Sequence, residues 1–142
     1  KAQAGKAPLQ ADRIGAFGFC FGGSTVLELA REGADLAGVV SLHGGLAPGA
    51  KSPTAAAVKT PVLVLNGADD KAVSDADILA FEREMDAAGA DWQFVDFSGA
   101  VHCFAEASAG TDPASNCRYD ERAAKRAYRM MDDFFRERFA AD

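Results

Sequence analysis

The sequence has 142 residues, of which 49% are hydrophobic and 25% are charged, and its formal net charge is -6. This length and composition predict one globular domain over 1–142. The acidic balance, with basic residues spread along the chain, excludes nucleic acid as an expected partner, and no apolar run approaches the roughly 20 residues of a membrane helix, so we expect a cytoplasmic protein with no membrane partner.

Apolar runs and helical spacing alternate along the chain. Short apolar runs predict four buried strands, at 14–19, 36–42, 61–66 and 91–97. Helical spacing predicts three helices, one over 22–31, one between Ser74 and Gly89, and one after a loop that ends near 118. Ser74 and Asp77 resemble a capping box at the start of the second helix. Strands that alternate with helices predict an α/β fold, a parallel sheet covered by helices on both faces.

Reactive side chains follow three of these predicted strands. Cys20 comes after the first, the pair Asp69 and Asp70 after the third, and His102 after the fourth. In parallel sheets, functional groups collect at the carboxyl ends of the strands. The chain order of nucleophile, acid and histidine is that of the α/β-hydrolase triad, with cysteine in the serine position of the G-x-S-x-G elbow, here in "GFCFG".

The residues around Cys20 have physical reasons to be there. Gly18 and Gly22 avoid side-chain clashes in a sharp strand-to-helix turn, and Gly23 lets the helix pack close to the sheet. A helix N-terminus and a nearby imidazole favour the thiolate of Cys20. We therefore expect Cys20 to attack an acyl carbonyl and the backbone N–H of Phe21 to donate to the oxyanion.

The acid and the histidine complete this mechanism. His102 is expected to carry the proton and Asp70 to hold the histidine tautomer. Asp69, its neighbour, is expected to be solvated or to cap a turn. His43 also follows a strand, but no acid follows it in the required order, so it is interpreted as a structural loop histidine or a residue of the pocket rim.

The other cysteines are not expected to take part in a framework. The chain has three cysteines and two histidines, with no C-x-x-C spacing, which predicts neither a structural metal site nor disulfides. We expect all three thiols to be reduced and Cys103 and Cys117 to be passive. Cys103, beside His102, is positioned to become an oxidation partner of Cys20.

Taken together, these segments resemble the dienelactone hydrolase family of α/β-hydrolases. The resemblance covers nearly the whole chain from Arg13 onward, and the segments that carry it, in the family's order, are "GFCFGG", "SLHGG", "LNGADDKAV", "VHCF" and "YDERAAKRAYRMMDDFF". It implies a triad of Cys20, Asp70 and His102 that hydrolyses a carboxylic ester or lactone without a metal or cofactor. We also expect a substrate pocket that includes His43, Phe104 and Glu106.

The chain departs from the family at the position of Glu106. In members that open dienelactone, an arginine four residues after the catalytic histidine helps to hold the substrate carboxylate. A carboxylate at this position repels an anionic substrate. The expected substrate is therefore a small ester or lactone that is neutral or cationic near this edge.

The resemblance also implies that this chain is the C-terminal portion of the fold. Family members are roughly a hundred residues longer at the N-terminus, where they carry the first strands, a second oxyanion donor and a glutamate that contacts the resting cysteine. We therefore expect an incomplete domain whose partner is its own N-terminal portion or a second copy. In this chain alone, strand 14–19 is expected to be an unprotected sheet edge.

Two other functions remain open from the residues. One is a redox or glyoxalase-type protein with a reactive Cys20 on a similar elbow in a flavodoxin-like sheet, in which Asp70 is not needed. The other is a catalytically inert binding module that keeps the fold. The reactivity of Cys20 distinguishes them, because an inert thiol reacts no faster than a model thiol.

Overall fold

The computed structural model describes residues 13–49 and 57–140. Within them, the strands are β1 (Gly15–Phe19), β2 (Gly38–Leu42), β3 (Val62–Gly67) and β4 (Trp92–Phe97). The helices are α1 (Phe21–Arg31), α2 (Asp75–Ala87) and α3 (Glu121–Ala140). The strands pair in parallel in the order β1-β2-β3-β4. The predicted α/β class and the parallel sheet are confirmed.

The core has two layers because successive strand residues point to opposite faces of the sheet. On one face, α1 and α2 pack on the sheet, and the buried side chains include Val39, Val62, Val64, Leu27, Phe81 and Met85. On the other face, α3 packs on the sheet, and the buried side chains include Val40, Leu42, Leu63, Leu65, Ala127 and Phe134. Helices on both faces explain why every residue of β2 and β3 is buried, so that their sequences do not alternate between apolar and polar residues.

Most element boundaries predicted from local sequence patterns lie within one or two residues of those in the structure. Ser74 is the N-cap of α2: its hydroxyl accepts from the backbone N–H of Asp77 at 3.2 Å, and the Asp77 carboxylate accepts from the Ser74 N–H at 2.9 Å. The predicted capping box is therefore present. In α3, the helical spacing of apolar residues predicts that Tyr128 packs in the core, but Tyr128 is 40% exposed and its hydroxyl donates to the carbonyl of Ala105 at 3.1 Å.

Strand β1 is an edge of the sheet that the structure describes, as predicted. Phe17 on this strand is 52% exposed, and Phe21, just after it, is 86% exposed. No helix in the described part of the chain is long and apolar enough to span a bilayer.

The parallel arrangement brings the carboxyl ends of all four strands to one edge of the sheet. Cys20 follows β1 and His43 follows β2, while Asp70 and His102 lie in the loops after β3 and β4. This edge is therefore the place to look for a functional site.

Candidate active site

Backbone strain is concentrated at this edge. Three described residues other than glycine have positive φ angles: Cys20 at 48°, His43 at 41° and Cys103 at 60°. Such conformations are uncommon for side-chain-bearing residues and persist where the surroundings enforce them, often at functional sites. Cys20 is the N-cap of α1, so its side chain is held at the sharp turn expected of a nucleophile elbow.

The glycines of the elbow have different roles. A Cβ on Gly18 would lie 2.2 Å from the backbone carbonyl group of Gly22, which no real contact allows. A Cβ on Gly23 would lie 2.7 Å from the hydroxyl oxygen of Ser41, so this glycine brings α1 close to β2, as predicted. A Cβ on Gly22 would meet nothing within 4 Å. The steric argument therefore holds for Gly18 and is wrong for Gly22.

Asp70 and His102 form a close pair. His102 Nδ1 lies 2.7 Å from Asp70 Oδ2, and the Asp70 side chain is buried whereas that of His102 is 25% exposed. An ionised carboxylate only accepts hydrogen bonds, so Nδ1 carries the proton and donates it. The other ring nitrogen, Nε2, is then the proton acceptor of His102.

The second carboxylate oxygen of Asp70 is also held. Asp70 Oδ1 accepts from the backbone N–H of Ala72 at 2.8 Å and from the side-chain amide of Asn116 at 3.2 Å. The backbone N–H of Lys71 donates in turn to Asn116 Oδ1 at 3.2 Å. Asp69, by contrast, is exposed, so burial distinguishes the two adjacent aspartates. Sequence reasoning missed Asn116, because no local pattern connects it with a loop 46 residues earlier.

Cys103 and Cys117 form a disulfide, so the prediction of three reduced thiols is wrong. Cys20 is the free cysteine. The loop that carries Cys117 runs parallel to the segment after β4: His102 and Cys117 form an isolated bridge, and the N–H of Arg118 donates to the carbonyl of His102 at 3.1 Å. These contacts hold the loop that carries His102 beside the segment that carries Asn116. They also bring together the two cysteines, which are 14 residues apart in the sequence.

The sulfur of Cys20 lies between an imidazole and a carboxylate. His43 Nδ1 is 3.3 Å from Cys20 Sγ, and the thiol donates to Glu106 Oε2 at 3.5 Å. His43 Nδ1 also accepts from the Cys20 backbone N–H at 3.3 Å, an N–H that donates to the Leu42 carbonyl as well, at 3.1 Å. The sulfur and one ring nitrogen from each of His43 and His102 lie within 4.8 Å of one another.

The surroundings of the sulfur oppose its ionisation. Burial is the largest cause, and the nearby Glu106 carboxylate adds to it by repelling negative charge and by accepting the thiol proton; together with Asp70 they raise the pKa of the Cys20 thiol to about 11. Burial, and then His102, lower the pKa of His43 to about 4, so its imidazole is neutral at pH 7 and offers the sulfur no positive charge. The expectation of a favoured thiolate is therefore wrong for this resting geometry.

The remaining predicted site residues take distinct places. The Phe21 backbone N–H is in the first turn of α1, next to Cys20. His43 is fully buried, deeper than a loop or rim position suggests. Phe104 is also fully buried, with its ring centroid 5.4 Å from that of His43. Phe104 packs within the core on the α3 face, and its role and that of His43 in a substrate pocket stay predictions.

Comparisons with known proteins agree on one family. The model described as "Dienelactone hydrolase family" matches residues 2–139. The chain is 38% identical over 130 residues to K02A2.1, an uncharacterized protein of Caenorhabditis elegans, a match that spans 90% of this chain and 82% of that protein.

Solved structures with the same fold are similar as well. The dienelactone hydrolase-like promiscuous phosphotriesterase P91 from metagenomic libraries is 37% identical, with a TM-score of 0.86 over 96% of this chain and 56% of its own. The structure named m3DLH is 36% identical, with a TM-score of 0.84 over 93% of this chain and 55% of its own. The chain therefore spans just over half the length of these two structures.

Proposed function

The chain belongs to the dienelactone hydrolase family, and from that premise we propose that it carries the catalytic groups of a cysteine hydrolase of carboxylic esters or lactones. The observation that supports this most is the meeting of a buried, hydrogen-bonded Asp70–His102 pair with the strained Cys20 at one sheet edge. Each group has the chemistry that acyl transfer needs: a nucleophile, a base and an orienting acid.

In the proposed reaction, Cys20 Sγ attacks the substrate carbonyl carbon while His102 Nε2 accepts the thiol proton. The negative charge on the carbonyl oxygen is stabilised by the N–H of Phe21 at the start of α1. His102 then returns the proton to the leaving alcohol, and a thioester to Cys20 remains. Water hydrolyses this thioester with His102 as the base, which releases the acid and restores the thiol.

The resting thiol must change partner before this step. It donates to Glu106 in the structure, and a pKa of about 11 leaves on the order of one thiol in 10³ ionised at pH 8. The backbone of Cys20 stays in place while its side chain turns from Glu106 toward His102. Proton transfer to His102 during attack avoids a free thiolate, which the site disfavours.

Glu106 supports a particular class of substrate. Its carboxylate lies 3.5 Å from the nucleophilic sulfur and its side chain is 36% exposed, so a substrate that reaches the sulfur passes close to this negative charge. A carboxylate on the substrate would be repelled there, whereas a cationic or neutral group would not. We propose that the substrates are small esters or lactones that are neutral or cationic near Glu106. In this proposal the hydrolysis uses no metal or cofactor, and the rest of the natural protein completes the pocket.

A redox or glyoxalase-type function has less support. Redox-sensing cysteines are usually thiolates of low pKa, and the pKa of Cys20 is raised to about 11. Such a function also gives no role to the Asp70–His102 pair.

The test uses the natural protein and p-nitrophenyl acetate. We expect turnover that Cys20→Ala lowers by at least roughly 10³-fold, with an unchanged melting temperature. Cys20→Ser, which places a hydroxyl nucleophile where the thiol was, is the matched comparison and should retain more activity than Cys20→Ala. Full turnover by Cys20→Ala would overturn the proposal, and no turnover by the natural protein with any activated ester would favour the inert binding module.

A second assay tests the substrate charge. Paired acetate esters with a quaternary ammonium or a carboxylate on the alcohol should be cleaved with different kcat/KM values, the cationic one faster. Glu106→Gln should remove most of this difference. Equal rates for both esters in the unmodified protein would contradict the role of Glu106.

A further inference from the structure

One residue of the cluster around Cys20, His43, has no role in the proposed hydrolysis. His43 is fully buried and touches the sulfur, yet the proposed reaction uses His102 as the base. Among the described residues, His43 Nε2 has no hydrogen-bond partner, and the nearest carboxylate oxygen, Glu106 Oε2, is 3.9 Å away. The other nitrogen, Nδ1, accepts from the Cys20 N–H and lies 3.3 Å from the sulfur, so the buried imidazole directs a lone pair to the side of the thiol, where a metal ion could bind both groups.

The distances suit a single ion. The Cys20 sulfur and one ring nitrogen from each histidine lie within 4.8 Å of one another. Tetrahedral zinc, with metal–sulfur distances of about 2.3 Å and metal–nitrogen distances of about 2.0 Å, places such ligand atoms about 3.5 Å apart. The separation of 3.3 Å between Cys20 Sγ and His43 Nδ1 is already close to this value, so only side-chain adjustments are needed.

Hydrogen bonds already prepare both histidines. Asp70 accepts from Nδ1 of His102, which leaves Nε2 to bind an ion; carboxylates orient metal-binding histidines in this way. His43 Nδ1 shares the Cys20 N–H with the carbonyl of Leu42, so that N–H keeps a partner when Nδ1 turns to a metal.

The charges and the competing sulfurs favour the same conclusion. Glu106 Oε2, 3.5 Å from the sulfur, places a negative charge beside the ion. Cys103 also lies near Cys20 and Glu106, but its sulfur is in a disulfide and is not a thiolate donor. One thiolate and two imidazoles select soft or borderline divalent cations such as Zn²⁺ over Mg²⁺.

We propose that Cys20, His43 and His102 form a reversible site for Zn²⁺ or a similar thiophilic divalent cation, which blocks the thiol when it is bound. The ion takes the lone pair of the sulfur and releases its proton to solvent. A fourth position stays open to water. The blocking of hydrolysis depends on the function proposed above, whereas the binding itself does not.

The experiment measures binding rather than activity. Chelator-treated natural protein, kept free of thiol reductants so that the disulfide stays intact, is titrated with Co²⁺ and followed by absorbance. We expect a sulfur-to-cobalt charge-transfer band and the visible bands of a four-coordinate ion, both displaced by one equivalent of Zn²⁺. Mg²⁺ should produce neither band nor displacement. Cobalt binding without the sulfur band would overturn the proposal.

Variants identify the ligands. Cys20→Ser should abolish the charge-transfer band, and His43→Gln and His102→Gln should each weaken Zn²⁺ binding by at least tenfold in a competition assay with a chromogenic chelator. Glu32→Gln, an exposed carboxylate at the far end of α1, should bind as the unmodified protein does. Unchanged Zn²⁺ affinity in either histidine variant, with its folding verified by circular dichroism, would contradict the site.

Alkylation gives an independent readout. Iodoacetamide labels Cys20, the free cysteine, and mass spectrometry reports the extent. We expect Zn²⁺ to slow labelling at least tenfold and Mg²⁺ to have no effect, and equal labelling with and without Zn²⁺ would contradict the site. If the protein binds Zn²⁺ in this way but hydrolyses no ester, the proposed function fails and the metal site stands; turnover without Zn²⁺ binding gives the opposite result.

Discussion

The acid–histidine side of the site (Asp70, His102 and Asn116) and its thiol side (Cys20, His43 and Glu106) hold their polar groups in different ways. On the first side, both oxygens of the buried carboxylate have hydrogen-bond donors. On the second side, the thiol lies between a neutral imidazole and a carboxylate that opposes its ionisation.

In the proposed mechanism, this difference means that the base is oriented in advance while the nucleophile rests in its protonated form. The pairing with Asp70 sets the tautomer of His102 before any substrate arrives, which lowers the cost of proton transfer. Burial and the nearby Glu106 carboxylate raise the pKa of Cys20, so the resting thiol is protonated. The following predictions test the two sides separately.

The largest effect is expected on the acid–histidine side. Asp70→Asn keeps the shape of the side chain but removes the carboxylate that fixes the tautomer of His102, so kcat for p-nitrophenyl acetate should fall by roughly 10³- to 10⁴-fold. Asp69→Asn is the matched control, because Asp69 is the exposed neighbour. Equal losses in both variants would remove Asp70 from the mechanism.

The backbone of the thiol side is tested by a pair of glycines. A Cβ on Gly18 meets the backbone of Gly22 at 2.2 Å, whereas a Cβ on Gly22 meets nothing within 4 Å. We expect Gly18→Ala to lower the free energy of unfolding in urea by about 3 kcal/mol. Gly22→Ala, a helical position in α1, should change it by less than about 1 kcal/mol, since alanine favours helix. Similar losses in both variants would show that the turn can relax.

Asn116 provides a smaller test of the acid–histidine side. Asn116→Ala removes one donor from Asp70 Oδ1 but leaves the Ala72 N–H, so the carboxylate keeps part of its support. We expect kcat to fall about tenfold with KM unchanged, because Asn116 acts through Asp70 and does not touch the substrate. Gln93→Ala, an exposed amide on β4, is the control.

The disulfide should act in the same direction as Asn116. It holds the Cys117 segment, which includes Asn116, against the histidine loop. Mild reduction should therefore lower kcat severalfold, and reoxidation should restore it, with intact mass reporting the redox state. A reduced protein with full kcat would show that the hydrogen bonds alone hold the loop.

The acidity of the thiol is expected to change when Glu106 loses its charge. Glu106→Gln removes one of the causes that raise the pKa of Cys20, so the pKa should fall below 11 while burial, the largest cause, remains. Because the thiolate is the reactive form, the pH profile of the iodoacetamide labelling rate should shift to lower pH in Glu106→Gln. At pH 8 this variant should be labelled about threefold to tenfold faster than the unmodified protein. Glu32→Gln should not change the profile. An unshifted profile in Glu106→Gln would assign the whole effect to burial.

Much of the fold follows from local patterns. Strand and helix positions depend on apolar periodicity and caps within a few residues, as the Ser74 capping box shows. The parallel topology then places the groups that follow the strands at one edge of the sheet. The proximity of Cys20, Asp70 and His102 can therefore be predicted without any knowledge of the packing.

Other features of the site needed the tertiary structure. Three of these features involve the segments after β4: the Cys103–Cys117 disulfide, the contact of Asn116 with Asp70 and the approach of Glu106 to the sulfur. These segments have no apolar periodicity that would indicate where their side chains point. The acidity of the thiol was predicted wrongly for the same reason.

The class of the fold, the order of its elements and the edge at which the reactive groups collect can therefore be predicted from the sequence, because they depend on short-range patterns and on the geometry common to parallel sheets. Three other features are visible only in the folded chain: which aspartate is buried, how deep His43 lies, and that the sulfur faces a carboxylate. Burial and charge around one atom are sums over residues distant in the chain, and only the packed fold specifies them.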